Sequence, residues 1–158
     1  YEIMSSDWSS DVCSSDLLHS RWVTAFCPGC LMSCAMRVLI VDDDVWAVRY
    51  LAWRLGRVLP DAEIVTRLEP DVTGAFDLYI VDEDFDGEDL AVDLVRQILL
   101  QSMDAHIAVL TARLDPARVQ QLTALGCAAC CDKSDPRDVT KLTDLAHRLD
   151  RRRRNLAI

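Results

Sequence analysis

The chain has 158 residues, 51% of them hydrophobic and 27% charged, a composition that fits one globular domain and excludes a disordered or fibrous chain. Its formal net charge of −9 argues against direct nucleic-acid binding, which needs clustered Lys and Arg to meet phosphates. No apolar run reaches the roughly 18 residues of a membrane helix and no signal-peptide pattern opens the chain, so a cytoplasmic protein without membrane contact is expected.

Residues 1–35 are expected to be a non-native or disordered leader. Position 1 is Tyr, and Ser-Ser-Asp recurs from Ser5, Ser9 and Ser14 without a helix or strand period. Residues 1–17 resemble a translated sequencing adapter, and residues 18–35 read as upstream DNA in frame. Met36 is the expected native start of a domain covering residues 36–158. Four of the seven cysteines, Cys13, Cys27, Cys30 and Cys34, fall in the leader. Cys27 and Cys30 share a zinc half-site spacing with Cys127 and Cys130. The second pair falls in a buried strand, however, where side chains three apart face opposite sides. Small apolar filler is the favoured role there, and an odd cysteine total argues against a disulfide framework.

From Met36 onward, strands and helices alternate. Residues 37–41 are apolar after Arg37, as in a strand buried on both faces. Asp44 caps a helix to about Leu59, with Val45, Val48, Leu51, Ala52 and Leu55 at helical spacing and Pro60 as its stop. Trp46 and Trp53 on this helix suit either partial core packing, the favoured reading, or an exposed stripe for a partner. Residues 63–67 form a short second strand and residues 78–81 an apolar third. Between them only a shortened helix fits, around residues 70–76.

A helix over about residues 88–101 carries Leu90, Leu94, Val95, Ile98 and Leu99 on one side. Residues 106–110 are a fourth strand. Asp115-Pro116 starts a helix that Gly126 ends, and residues 127–131 are a fifth strand of small residues. Asp135-Pro136 starts the last helix, which runs into Arg151–Arg154, a solvated helix end that also complements the helix dipole. The fold class is α/β: a doubly wound, five-stranded parallel sheet with helices on both faces.

In such sheets the ligand site lies beyond the carboxyl ends of the strands. Asp42, Asp43 and Asp44 follow strand one, and Asp82, Glu83 and Asp84 close strand three. Thr111 and Ala112 follow strand four, and Asp132 and Lys133 follow strand five. Carboxylates crowded into one site repel and raise each other's pKa unless a cation joins them. Oxygen ligands select a hard ion such as Mg²⁺. Phosphoryl transfer needs an in-line nucleophile, charge neutralisation and donors for the equatorial oxygens. Asp82 suits the nucleophile, with Lys133 and Thr111 as donors. Asp44 suits a helix cap better than a ligand.

Four motifs carry a resemblance. Residues 38–44, Val-Leu-Ile-Val-Asp-Asp-Asp, resemble the opening of response-regulator receivers, and residues 77–82, Asp-Leu-Tyr-Ile-Val-Asp, resemble their phosphoacceptor strand. Val109-Leu110-Thr111-Ala112 is similar to their hydroxyl-Ala switch, and Gly126 seven residues before Lys133 to their lysine turn. The resemblance implies a flavodoxin-like receiver fold of the single-domain, chemotaxis-regulator kind. It implies phosphorylation of Asp82 and Mg²⁺ held by Asp43, Asp82, Asp42 partly through water, and the backbone carbonyl of Asp84. Thr111, the Ala112 N–H and Lys133 would bind the phosphoryl group. Thr111 would then turn inward and reshape the face of the family's helix four, strand five and helix five.

The chain departs from the family pattern in two further places. The loop after Asp82 reads Glu-Asp-Phe-Asp-Gly where a hydrophobic residue and Pro are usual. Cys130 occupies the switch position usually held by Tyr or Phe.

The expected function is a phosphoacceptor receiver in a two-component phosphorelay, a signalling protein rather than an enzyme. It would catalyse phosphoryl transfer to its own Asp82, with slow autodephosphorylation. The phosphodonor would be a histidine kinase or phosphotransfer protein, and the downstream protein would dock on the helix four–strand five–helix five face. The chain ends about one helix after Lys133, so no output domain is expected. The alternative is a non-phosphorylated pseudo-receiver acting as an interaction module. A fragment of a longer regulator is a third reading. A hydrolase with an Asp nucleophile is disfavoured because no substrate-covering cap fits this length.

Overall fold

Apolar runs bounded by polar turn residues become the buried strands of the protein, whose structure, a computed structural model, describes residues 35–156. The expectations for the leader up to residue 34, including Cys13, Cys27, Cys30 and Cys34, lie outside the described residues. The elements in chain order are β1 (Arg37–Val41), α1 (Val45–Val58), β2 (Glu63–Arg67), β3 (Leu78–Asp82), β4 (Asp84–Phe85), β5 (Glu88–Asp89), α2 (Ala91–Gln101), β6 (His106–Thr111), α3 (Pro116–Leu125), β7 (Ala129–Asp132) and α4 (Pro136–Leu156). Five strands form one parallel sheet in the order β2-β1-β3-β6-β7. This is the doubly wound sheet expected from the alternation of elements. Among the described residues no helix is long and apolar enough to cross a membrane.

Alternation along the strands divides the core into two layers. Val38, Ile40, Leu78, Ile80, Ala108 and Leu110 face α1 and α4, packing on Leu51, Leu55, Leu142 and Ala146. Leu39, Val41, Tyr79, Val81, Ile107 and Val109 face the other way, onto Leu94, Val95 and Ile98 of α2 and Leu122 of α3. Every residue of β3 is buried, as a central strand with both faces covered requires.

The helix boundaries follow their capping residues. Asp44 accepts a hydrogen bond from Trp46 N at 2.8 Å and is the N-cap of α1. Asp115 accepts from Ala117 N at 3.1 Å ahead of Pro116. Gly126, at φ 106°, closes α3 in the left-handed region that glycine adopts without a Cβ penalty. Asp135 accepts from Arg137 N at 2.9 Å at the start of α4.

The structure corrects four expectations. No helix, short or otherwise, joins β2 to β3. The segment is an irregular loop whose polar groups are satisfied without helical pairing. The Arg67 guanidinium donates to the carbonyls of Asp71 and Thr73, both at 2.8 Å. The buried Tyr79 hydroxyl donates to the Gly74 carbonyl at 2.6 Å and accepts from Phe76 N at 3.2 Å. Gly74, at φ 111°, breaks any helical run through this segment.

The second correction concerns residues 88–90. Glu88 and Asp89 do not open the helix but pair with Asp84 and Phe85 as an antiparallel hairpin. Asp86 at φ 52° and Gly87 at φ 87° form its turn, the Asp-Gly signature of a two-residue hairpin.

Third, Trp46 and Trp53 do not pack in the core; they are 71% and 56% exposed. At about 100° per residue they fall roughly 150° round the helix from Val48, whose stripe faces the sheet. Fourth, Cys127 and Cys130 pack into the same core layer and Cys131 into the other, because the strand starts only at Ala129 and Cys127 precedes its alternation.

Candidate functional site

The parallel register brings the four predicted strand ends to one edge of the sheet. Val41 lies beside Val81, Asp82 beside Leu110, and Thr111 beside Asp132. The residue or two beyond each strand therefore converge. Asp42 is fully buried and Asp82 nearly so, while Asp43 is exposed. Carboxylate oxygens of Asp42, Asp43 and Asp82 all lie within 4.8 Å of one another. Lys133 Nζ sits between two of them, 2.7 Å from Asp82 Oδ2 and 2.8 Å from Asp42 Oδ2.

Backbone amides orient the acids. Asp44 N donates to Asp42 Oδ1 at 2.9 Å, Glu83 N to Asp82 Oδ1 at 2.7 Å, and Asp86 N to Asp43 Oδ2 at 2.9 Å. The last bond comes from the turn of the β4–β5 hairpin, which thus holds the exposed acid of the cluster. Asp84 lies at the start of that hairpin with its side chain exposed.

Burial, opposed by the Lys133 ammonium and the Glu83 N–H and reinforced by the charge of Asp42, pushes the Asp82 carboxyl above its ordinary value. Burial works against the charge on Lys133, yet its contacts with Asp42 and Asp82 hold its pKa above the usual lysine range. Three carboxylates thus face one ammonium. Asp42 Oδ2 is buried and meets, at 2.8 Å, the Lys133 ammonium that it shares with Asp82. Clustered carboxylates with one ammonium between them favour a further cation. An all-oxygen donor set of this kind fits Mg²⁺, with Asp42, Asp43 and Asp82 as the side chains able to hold it.

Thr111 is buried at the end of β6. Its hydroxyl donates to the Arg113 carbonyl at 3.0 Å and accepts from Arg113 N at 3.1 Å, so it is engaged with its own turn rather than with Asp82. Ala112 is exposed beside it. Lys133 N donates to the Thr111 carbonyl at 2.9 Å, tying the lysine turn to the Thr111 turn.

Cys130 is half-buried on β7. Burial first, and then the nearby Glu83 carboxylate, push its thiol up. Burial likewise pushes Cys127 up to about 12 and Cys131 up to about 11. Buried thiols of this kind pack as small apolar groups.

Sequence reasoning missed Arg118. Its guanidinium donates to Glu83 Oε1 at 2.6 Å and also contacts Asp89, so it clamps the residue after Asp82 and the far end of the hairpin onto α3. No local pattern marks such a pair, because its partners lie 35 and 29 residues away.

No protein-family model matches this sequence. No curated protein matches it either. Solved structures do match. The receiver domain of a DNA-binding response regulator from Colwellia psychrerythraea superposes with a TM-score of 0.63 at 24% identity, over 72% of this chain and 97% of that one. A CheY-like receiver domain protein from Methanospirillum hungatei gives 0.62 at 18%, over 77% and 98%. The chemotaxis response regulator CheY4 of Vibrio cholerae gives 0.60 at 20%, over 73% and 98%. The fold of this chain is therefore the flavodoxin-like receiver fold that its strand-end motifs implied.

Proposed function

We propose that the protein is a phosphoacceptor receiver of a two-component phosphorelay, phosphorylated on Asp82 and signalling by docking to a partner. The observation that carries this reading is the position of Asp82, buried at a strand end between the Lys133 ammonium and the carboxylates of Asp42 and Asp43. A carboxylate held this way is a positioned nucleophile with charge compensation beside it.

In this mechanism the Asp82 carboxylate attacks the phosphorus of a phosphohistidine or of a small acyl phosphate. The P–O bond to Asp82 forms as the bond to the leaving nitrogen or oxygen breaks. Lys133 moves its hydrogen bond from the carboxylate to a phosphoryl oxygen. The Thr111 hydroxyl leaves Arg113 for a second oxygen, and the Ala112 N–H takes the third. Mg²⁺, when bound, would neutralise the clustered carboxylates and the incoming phosphoryl charge. It would be held by Asp43 and Asp82, by Asp42 partly through water, and by the backbone carbonyl of Asp84.

The donor is a histidine kinase or phosphotransfer protein of the cytoplasm. The downstream protein docks on the face made by α3, β7 and α4, the counterparts of the family's helix four, strand five and helix five. Slow autodephosphorylation, in which water attacks the aspartyl phosphate and releases inorganic phosphate, resets the protein.

The test is the intact mass of the full chain incubated with Mg²⁺ and acetyl phosphate, beside Asp82→Asn. One phosphoryl group gained by the parent and none by the variant is the expected result. If neither gains mass with acetyl phosphate or with a panel of phosphorylated histidine phosphotransfer domains, the reading gives way to a pseudo-receiver. Cys130 at the switch position is the observation that favours that second reading.

A further inference from the structure

The three acids of the site are not held in the same way. Asp42 and Asp82 each accept from an amide one or two residues further along the chain. Asp43, the exposed member of the cluster, is held from 43 residues away, by the Asp86 amide at 2.9 Å. Its orientation therefore depends on where the β4–β5 hairpin lies.

The hairpin is too short to hold itself there. Each of its strands has two residues, Asp84 opposite Asp89 and Phe85 opposite Glu88, and isolated two-stranded hairpins are marginal even at greater length. Its turn holds Asp86 at φ 52°, the one positive φ outside glycine among the described residues. Such backbone persists where its surroundings fix it.

Phe85 supplies one fixture, through burial in the core. Arg118 supplies the other. Its guanidinium reaches from α3 to Glu83 Oε1 at 2.6 Å, where the chain leaves β3, and to Asp89, the last residue of the hairpin. Gln121 Oε1, at 2.8 Å, takes the remaining nitrogen. Leu90 N donates to the Glu83 carbonyl at 3.0 Å, so the neck of the hairpin is fastened both to itself and to α3.

We propose that Arg118 is a positioning residue for the Mg²⁺ site. By pinning both ends of the hairpin to α3 it sets the Asp86 amide against Asp43 and raises the affinity of the acid cluster for the ion. The inference rests on the reading of Asp42, Asp43 and Asp82 as ion ligands. Arg118 meets none of these three acids and acts through the hairpin. Groups that orient a ligating side chain typically cost about 10–100-fold in metal affinity when removed.

Charge alone would act in the opposite direction. A guanidinium near the cluster repels Mg²⁺, and its removal leaves Glu83 and Asp89 as unpaired carboxylates that attract the ion. A purely through-space role thus predicts tighter Mg²⁺ binding without Arg118, and a positioning role predicts weaker binding.

The experiment titrates magnesium chloride into the full chain and follows the Asp43 and Asp86 amide resonances in the parent, Arg118→Met and Arg118→Lys. Methionine keeps the aliphatic stem without donors, and lysine keeps the charge without the fork. The expected result is a Kd for Mg²⁺ about tenfold higher or more in Arg118→Met and also raised in Arg118→Lys. The Asp86 amide should exchange faster in both metal-free variants. A Kd at or below the parental value in either folded variant overturns the proposal, because a clamp that serves stability alone would leave it unchanged. The lysine variant decides the matter by itself where the methionine variant does not fold. A parent that binds no Mg²⁺ overturns the proposal together with the metal reading beneath it. A parent that binds Mg²⁺ and gains phosphoryl mass, beside variants of equal affinity, overturns the proposal alone.

Discussion

Arg118 Nε on α3 lies 2.6 Å from the carboxylate of Glu83, the residue that follows Asp82. Both side chains are less than one-fifth exposed, and the same guanidinium contacts Asp89 at the end of the hairpin. The pair joins the residue that follows the proposed acceptor to the helix beside it.

Arg118→Ala should therefore lower stability by about 1–3 kcal/mol, the range for hydrogen bonds to charged, partly buried groups. Arg118→Lys should recover only part of the loss, because an ammonium cannot fork between two carboxylates. Urea denaturation of the three proteins measures this. A change in the alanine variant of only a few tenths of a kcal/mol would mean that the clamp is ornamental.

Asp82→Asn should raise the stability of the metal-free protein. The folded-state pKa of Asp82 lies above its ordinary value, from burial first and from Asp42 besides. A raised pKa means that the protonated form is favoured by folding. That contribution is complete below the ordinary aspartate pKa and is lost as pH rises through the folded-state value. The advantage of the asparagine variant should therefore grow through that window and level off above it. Thermal melts in chelator across acidic to neutral pH report it, and a variant less stable than the parent at neutral pH would contradict the electrostatics described for the cluster.

Mg²⁺ should raise the melting temperature of the parent, since an ion bound only by the folded state adds about 2.7 kcal/mol at one hundred times its Kd. Asp43→Asn should remove most of that rise, because Asp43 is the exposed carboxylate of the cluster and is held by the hairpin amide. A melting temperature indifferent to Mg²⁺ in both proteins would count against the proposed metal.

Tyr79→Phe should destabilise the protein by about 1–3 kcal/mol, the penalty for leaving buried polar groups unpaired. The lost hydroxyl bridges the Gly74 carbonyl and the Phe76 amide in the loop that stands where a second helix was expected. Hydrogen exchange of the Phe76 amide should speed up more than that of β1. Unchanged exchange there would show that the loop does not depend on this anchor.

Much of the fold was legible in the residues because its signals are local. Asp44, Asp115 and Gly126 stand at helix ends for reasons of capping and left-handed backbone that act within four residues. Leu78–Asp82 is a strand buried on both faces because it is apolar up to its last residue. Asp86-Gly87 was equally local, but the helical spacing of Leu90, Leu94 and Ile98 drew the boundary too far upstream.

The strand-end acids, Thr111 and Lys133 could be listed from the sequence once a parallel sheet was expected. Their approach to one another could not be measured there. The sequence by itself determined five strands, their capped helices and which residues stand at the carboxyl edge. Only the tertiary structure decided that Lys133 bridges Asp42 and Asp82, that Arg118 clamps Glu83, and that Trp46 and Trp53 face outward. Propensity and capping act over a few residues of chain, whereas contacts between residues 35 to 91 positions apart depend on the register and crossovers of the assembled sheet.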